Sequence, residues 1–239
     1  MSDPQGEVQP GTQEVREIRG ATADTIQQYY LYRPANEDGQ APWPVLLFLH
    51  GRGEGRFNKQ QVYRGIAAVT KHGTPPGRCL EPEWRHPFII VSPQLPAYVS
   101  RWHQTQRRQE VESILNNVIQ WYQGDPNRVY ATGFSIGGLG TVAIAAQGGR
   151  RFSALLPVDA YDPTPSWTNR EVTNRSSIGI PIWSHHATTN QVAPEITRLL
   201  TNNPQEPTLY DPDHFTHVEI CRAAYNNAGI YTWLREHPA

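Results

Sequence analysis

Short apolar runs, each stopped abruptly by a turn-forming or small polar residue, constrain this chain more than any other feature. Residues 45–49 stop at His50 and Gly51, 88–91 at Ser92 and Pro93, and 154–158 at Asp159, while 128–132 has strand composition and stops at Gly133. Runs this short and this uniformly apolar suit strands buried on both faces. Between them lie stretches that read as helix: 60–71, 139–146 with its small apolar residues, 193–200 and 220–235. Residues 110–122 place Val111, Ile114, Leu115, Val118, Ile119 and Tyr122 at helical spacing, ended by Gly124, Asp125 and Pro126. Further strands are expected at 26–32 and 180–184. Short strands alternating with helices imply the α/β class, a mostly parallel central sheet with helices on both faces. Ligands of such sheets sit beyond the carboxyl ends of the strands, so the residues that end each run matter most.

Composition narrows the partners. Among 239 residues, Lys plus Arg number 21 and Asp plus Glu 22, a formal net charge of -1. That balance supplies no field for holding nucleic acid or an anionic membrane surface, and no apolar stretch approaches the length of a membrane span. Two cysteines, Cys79 and Cys221, are too few for a disulfide scaffold or a cysteine-based zinc site. Residues 1–14, polar and lacking a basic-then-apolar leader pattern, read as a flexible tail ahead of one domain over 15–239, and the expected compartment is the cytoplasm. Nothing in the sequence indicates an oligomeric state.

The strand at 128–132 runs into Gly133, Phe134, Ser135, Ile136 and Gly137, a G-x-S-x-G pattern. Its mechanics call for a sharp strand-to-helix bend that lifts a strained serine over the sheet edge, with small residues where the backbone doubles back. Ser135 is the candidate nucleophile. The helix that follows aims its positive end at the serine, and the Ile136 amide can bind a developing oxyanion. The glycine-rich loop after 45–49 offers Gly51 and Arg52 as a second source of amide donors, with His50 bracing the loop.

Residues 44–55, the turn Ser92, Pro93 and Gln94, the block 125–130 and the serine motif at 133–138 resemble the small esterases of the α/β-hydrolase superfamily. Within it the likeness is to the dienelactone-hydrolase, phospholipase/carboxylesterase and feruloyl-esterase-like set, and it extends from about Gln28 to Leu234. The resemblance implies that fold, hydrolysis through a Ser-His-Asp triad, and no metal or organic cofactor.

In this fold the acid and then the base follow the nucleophile along the chain. His217 and His214 both lie in the expected region, and His217 better matches the family's spacing to the terminal helix. The pair His214 and His217 without a defined third ligand is weak ground for a metal, so none is expected. The acid departs from the family pattern. Where relatives carry Asp, in a segment matching 186–194 here, this chain has Asn190, which cannot stabilise an imidazolium by charge. Asp159, directly after the run at 154–158, is the favoured substitute because some lipases of the superfamily carry their acid there. Asp162 is second, Asn190 standing in is third, and Glu195, Asp213 or a dyad without acid complete the alternatives.

The roughly 20 residues from 159 to 178 are too few for a large lid domain. Trp102, Trp167, Tyr98 and Tyr161 fall in loops expected at the catalytic rim, where they would suit a planar or bulky substrate group or merely close the core edge. His185 and His186 are expected to shape the same rim. The leading functional expectation is a serine hydrolase acting on a small-molecule carboxylic ester, thioester or lactone. The absent Asp at 190 leaves two alternatives: a catalytically degenerate binding protein, or a lyase- or cyclase-type enzyme in which Ser135 only orients the substrate.

Overall fold

The computed structural model describes residues 3–35, 41–52, 88–96, 101–148, 151–161, 179–190 and 205–238. Eight strands among these residues form one sheet: β1 (Gln13–Glu17), β2 (Gln28–Tyr32), β3 (Trp43–Leu49), β4 (Ile89–Pro93), β5 (Gly124–Phe134), β6 (Ala154–Val158), β7 (His185–Ala187) and β8 (Thr208–Tyr210). Their spatial order is β1-β2-β4-β3-β5-β6-β7-β8. The two edge pairings, β1 with β2 and β2 with β4, are antiparallel, and every pairing from β4 to β8 is parallel.

β3 shows why contiguous apolar runs were needed. All seven of its residues are buried, and they alternate between two cores. Val45, Leu47 and Leu49 join one cluster with Val111, Leu115 and Val118 of helix α1 (Thr105–Trp121) and Leu139 and Val142 of α2 (Ile136–Gly148). Leu46 and Phe48 join the other with Ile220 and Tyr225 of α3 (His217–Asn226) and Ile230 and Leu234 of α4 (Ala228–Arg235). The period-2 geometry of a strand thus sends neighbouring side chains to opposite helical layers. The expected mostly parallel sheet with helices on both faces is what forms. Between β6 and β7 lie residues 159–184, too short a connection for a large lid domain.

Several expectations are corrected. Residues 3–14, expected within a loose tail, pack on the domain: Val8 is fully buried in the first core, and the Tyr122 hydroxyl donates to Asp3 Oδ2 at 2.6 Å. Asp3 also pairs with the buried Arg16 at 3.4 Å. Burial of one valine and a buried ion pair anchor a segment whose polar composition hid them. The strand expected at 180–184 is displaced to β7. Pro181 has no N–H to give a ladder, and Ile182 makes only an isolated bridge to Leu155. Residues 220–235 are two helices rather than one, because Asn227 is extended (φ -78°, ψ 107°) and its side chain accepts from Gly229 N. α1 starts before its apolar periodicity does, since buried Arg107 is held by Glu110 and the Asp24 carbonyl. The helices expected at 60–71 and 193–200 lie outside the described residues. No helix among the described residues is long and apolar enough to cross a membrane.

Candidate active site

The carboxyl ends of β3, β5 and β6 meet at Ser135. Its φ is +59°, a left-handed conformation that L-residues other than Asn and Asp rarely adopt, at the bend between β5 and α2. The bend closes because two glycines let the backbone pass at contact distance. A Cβ on Gly137 would sit 1.9 Å from the Leu49 carbonyl oxygen, and one on Gly133 would sit 2.4 Å from the Gly137 carbonyl oxygen. Neither obstacle is a movable side chain, so the pattern's glycines are steric requirements. Ser135 N donates to Val158 O at 3.0 Å, tying the bend to the end of β6. Ile136 opens α2, where the first amides have no partner within the helix.

Gly51 lies against this bend: a Cβ added to it would stand 3.4 Å from Ser135 Cβ. Its loop is fixed by His50, which is fully buried. Leu95 N donates to His50 Nε2 at 3.0 Å, so Nδ1 carries the proton and donates to the Gly51 carbonyl at 2.8 Å. Burial pushes His50 down to about 4, against the opposing bond to Gly51, which keeps the ring neutral and this tautomer locked. In a planar trans peptide the N–H points opposite to the carbonyl, so holding the Gly51 oxygen toward His50 turns the Arg52 N–H away from it. Trp102 completes the brace. It donates from Nε1 to the His50 carbonyl at 3.0 Å and meets the imidazole edge-on at 5.1 Å. Only 1% exposed, Trp102 is a core side chain, the second of the two readings open from sequence, rather than a rim aromatic. Arg52 is exposed.

His217 is the first residue of α3. Thr216 and Glu219 form a reciprocal capping box at that terminus: Glu219 N donates to Thr216 Oγ1, and Thr216 N donates to Glu219 Oε2 at 2.8 Å. The sequence signal for this, a threonine followed three residues later by glutamate, marks the helix start at 217, three residues before the apolar pattern begins at 220. The imidazole stacks on Phe134, ring centroids 4.3 Å apart and planes 34° off parallel, which places it beside the residue preceding Ser135. Ser135 and His217 are not hydrogen-bonded to each other here; such contacts commonly tighten only when substrate is present. Tyr161, 46% exposed, presents its ring edge-on to His217 at 6.4 Å, at the mouth of the site.

His217 Nδ1 donates to Asp159 Oδ2 at 2.6 Å. Asp159 is 5% exposed and, like Ser135, left-handed, with φ +37°. Its other oxygen, Oδ1, accepts from Asn190 Nδ2 at 2.8 Å and from Ala187 N at 3.3 Å. Burial alone would push this carboxyl up, but the bonds from His217 and Asn190, the His217 charge and the Ala187 amide together hold it below its ordinary value. Asp159 is therefore an anion presented to an imidazole.

His214 is exposed and bonded to Asp211 at 3.0 Å rather than to Asp159. His185 and His186, expected at the rim, are buried instead. His185 shares a hydrogen bond with the Tyr210 hydroxyl at 3.0 Å, and burial, aided by His186, pushes it down to about 4. Asp162, Glu195, Tyr98 and Trp167 lie outside the described residues.

No family model matches the chain. A bifunctional acetylxylan esterase/xylanase of Neocallimastix patriciarum is 24% identical over an alignment of 211 residues that covers 85% of this chain and 27% of that protein. The chain thus spans about a quarter of that relative's length. Among solved structures, a thermostable esterase is similar with TM-score 0.65 at 23% identity, covering all of this chain and 62% of the other. An S-formylglutathione hydrolase from Agrobacterium tumefaciens gives 0.64 at 14% identity, with both chains covered in full. FphF, a fluorophosphonate-binding serine hydrolase of Staphylococcus aureus, gives 0.60 at 14%, covering 95% and 99%. The strand order, the helices on both faces and these neighbours establish the α/β-hydrolase fold.

Proposed function

We propose that this chain is a serine hydrolase that cleaves a carboxylic ester of a small molecule through an acyl-enzyme on Ser135. In this reading His217 takes the serine proton as Oγ attacks the ester carbonyl. Asp159 holds the ring in the tautomer that leaves Nε2 free to accept, and stabilises the imidazolium that results. The amide of Ile136, with those of the Gly51–Arg52 loop, receives the oxyanion. His217 then returns its proton to the departing alcohol, and water attacks the acyl-serine by the same route.

The observation that carries the reading is the 2.6 Å bond from His217 Nδ1 to a buried, left-handed Asp159, with the same ring stacked on the residue before Ser135. It also bears on the alternatives. A degenerate binder or a lyase-type enzyme was suggested only by the loss of a carboxylate at 190, and a carboxylate at 159 removes that reason. The named relatives favour the ester among acyl substrates, acetylated xylan being one candidate, while the S-formylglutathione hydrolase makes a thioester a natural member of the test set.

The test is labelling with a fluorophosphonate probe alongside hydrolysis of p-nitrophenyl acetate, acetylated xylan and a small acyl thioester. Labelling and ester turnover that disappear together in Ser135→Ala support the reading. Turnover that survives Ser135→Ala refutes it, and labelling without turnover of any acyl substrate points to non-hydrolytic chemistry.

A further inference from the structure

The triad assignment leaves Asn190 without a part, although it occupies the place where relatives carry their acid. Its side-chain nitrogen donates to Asp159 Oδ1 at 2.8 Å and to the Ala160 carbonyl at 3.2 Å, and its backbone N donates to Ala187 O at 2.9 Å. Both of these side-chain contacts need a donor, and a primary amide has two N–H groups on one nitrogen. A carboxylate at this position could make neither bond and would stand against Asp159 at contact distance, where two like charges resist joint ionisation. Given Asp159, asparagine is thus the chemically fitting residue at 190.

We infer that Asn190 is the positioning residue of the acid. By engaging Oδ1 together with the Ala187 amide, it stops the Asp159 carboxyl from turning about its terminal torsion and leaves Oδ2 alone to face His217. The clamp bridges two strand ends, because Asp159 follows β6 while Asn190 follows β7 by three residues. The carboxylate thus stands after β6, and the amide after β7 aims it. This inference rests on the proposed triad.

The experiment compares the native enzyme with Asn190→Ala, Asn190→Asp and Ser135→Ala on p-nitrophenyl acetate across pH 4 to 9, with melting curves for each. Asn190→Ala is expected to lower kcat about tenfold or more with KM unchanged, since an unaimed carboxylate costs the step it serves rather than substrate binding. Asn190→Asp keeps the side-chain size. It either shares a proton with Asp159 or adds a second negative charge near His217, and both effects move the acid limb of the kcat/KM profile to higher pH, by about one unit. A merely structural asparagine would lower the melting temperature of Asn190→Ala and leave its kcat unchanged. If Ser135→Ala remains active, the triad reading itself has failed. If Ser135→Ala is inactive while Asn190→Ala keeps native kcat, the positioning role is overturned and the triad stands.

Discussion

The two halves of the proposed site are held in place by different physics. On the serine side, backbone passes backbone at contact distance: Gly133 and Gly137 leave no room for a Cβ, and Ser135 is forced into a left-handed bend. On the base side, position comes from directional polar contacts. His217 is set by a capping box at a helix start, Asp159 by four hydrogen bonds, and Asn190 by its turn. Steric fixation is local and tolerates no substitution. Hydrogen-bond fixation can be rebuilt from other strand ends, and that is where this chain differs from the pattern it resembles.

This contrast predicts opposite failure modes. Gly137→Ala should give the largest effect, because its methyl group would overlap the Leu49 carbonyl: the variant should not accumulate as folded protein, seen as loss of soluble yield and of a cooperative melt. A soluble, active Gly137→Ala would break the steric half of the comparison. Asp159→Asn should fold normally yet lose about 10³- to 10⁴-fold in kcat, since an amide cannot stabilise the imidazolium by charge. Steady-state kinetics with a parallel melting curve would separate these outcomes.

Acid should weaken the fold at two buried imidazoles, the His50 brace on the serine side and His185 at the start of β7. His50 and His185 are buried and pushed down to about 4, whereas in the unfolded chain each regains an ordinary value near 6.5. Between those values the unfolded state binds more protons, so their stability contribution is complete above about pH 6.5 and falls away as pH drops toward 4. The loss amounts to about 3 kcal/mol for each ring at the lower end. The Asp159 carboxyl, held low, adds its own loss only at still lower pH. A melting series from pH 7.5 to 4 checks this, and a flat profile down to pH 5 would mean the rings are not buried and neutral. Thr216→Ala should have the smallest effect, about 1 kcal/mol or a few degrees of melting temperature, with a modest fall in kcat as the start of α3 loosens.

The same division explains how much could be read from the sequence. The runs at 45–49, 88–91 and 154–158 had to be buried strands, and the glycines around Ser135 had to mark a tight bend, because the physics there is local. β1 was invisible because only Arg16 of its five residues is buried, and that by an ion pair with Asp3. β7 falls at 185–187, directly after the expected 180–184, because Pro181 limits pairing in the more apolar stretch before it. Trp102 could be read as rim or as core edge, because nothing local reveals that its ring packs against His50. Asp159 could be ranked above Asn190 from its place after an apolar run, but the bond between them joins residues 31 positions apart and has no signature in either neighbourhood.

The proposed catalysis requires Ser135 and His217 to act as one unit although no hydrogen bond joins them in this structure. A double-mutant cycle on p-nitrophenyl acetate hydrolysis measures that directly. If they work together, Ser135→Ala and His217→Ala each abolish most of the rate, and the double variant is no slower than either alone. Losses that multiply, with the double variant slower than both single variants by the product of their separate effects, would contradict the account.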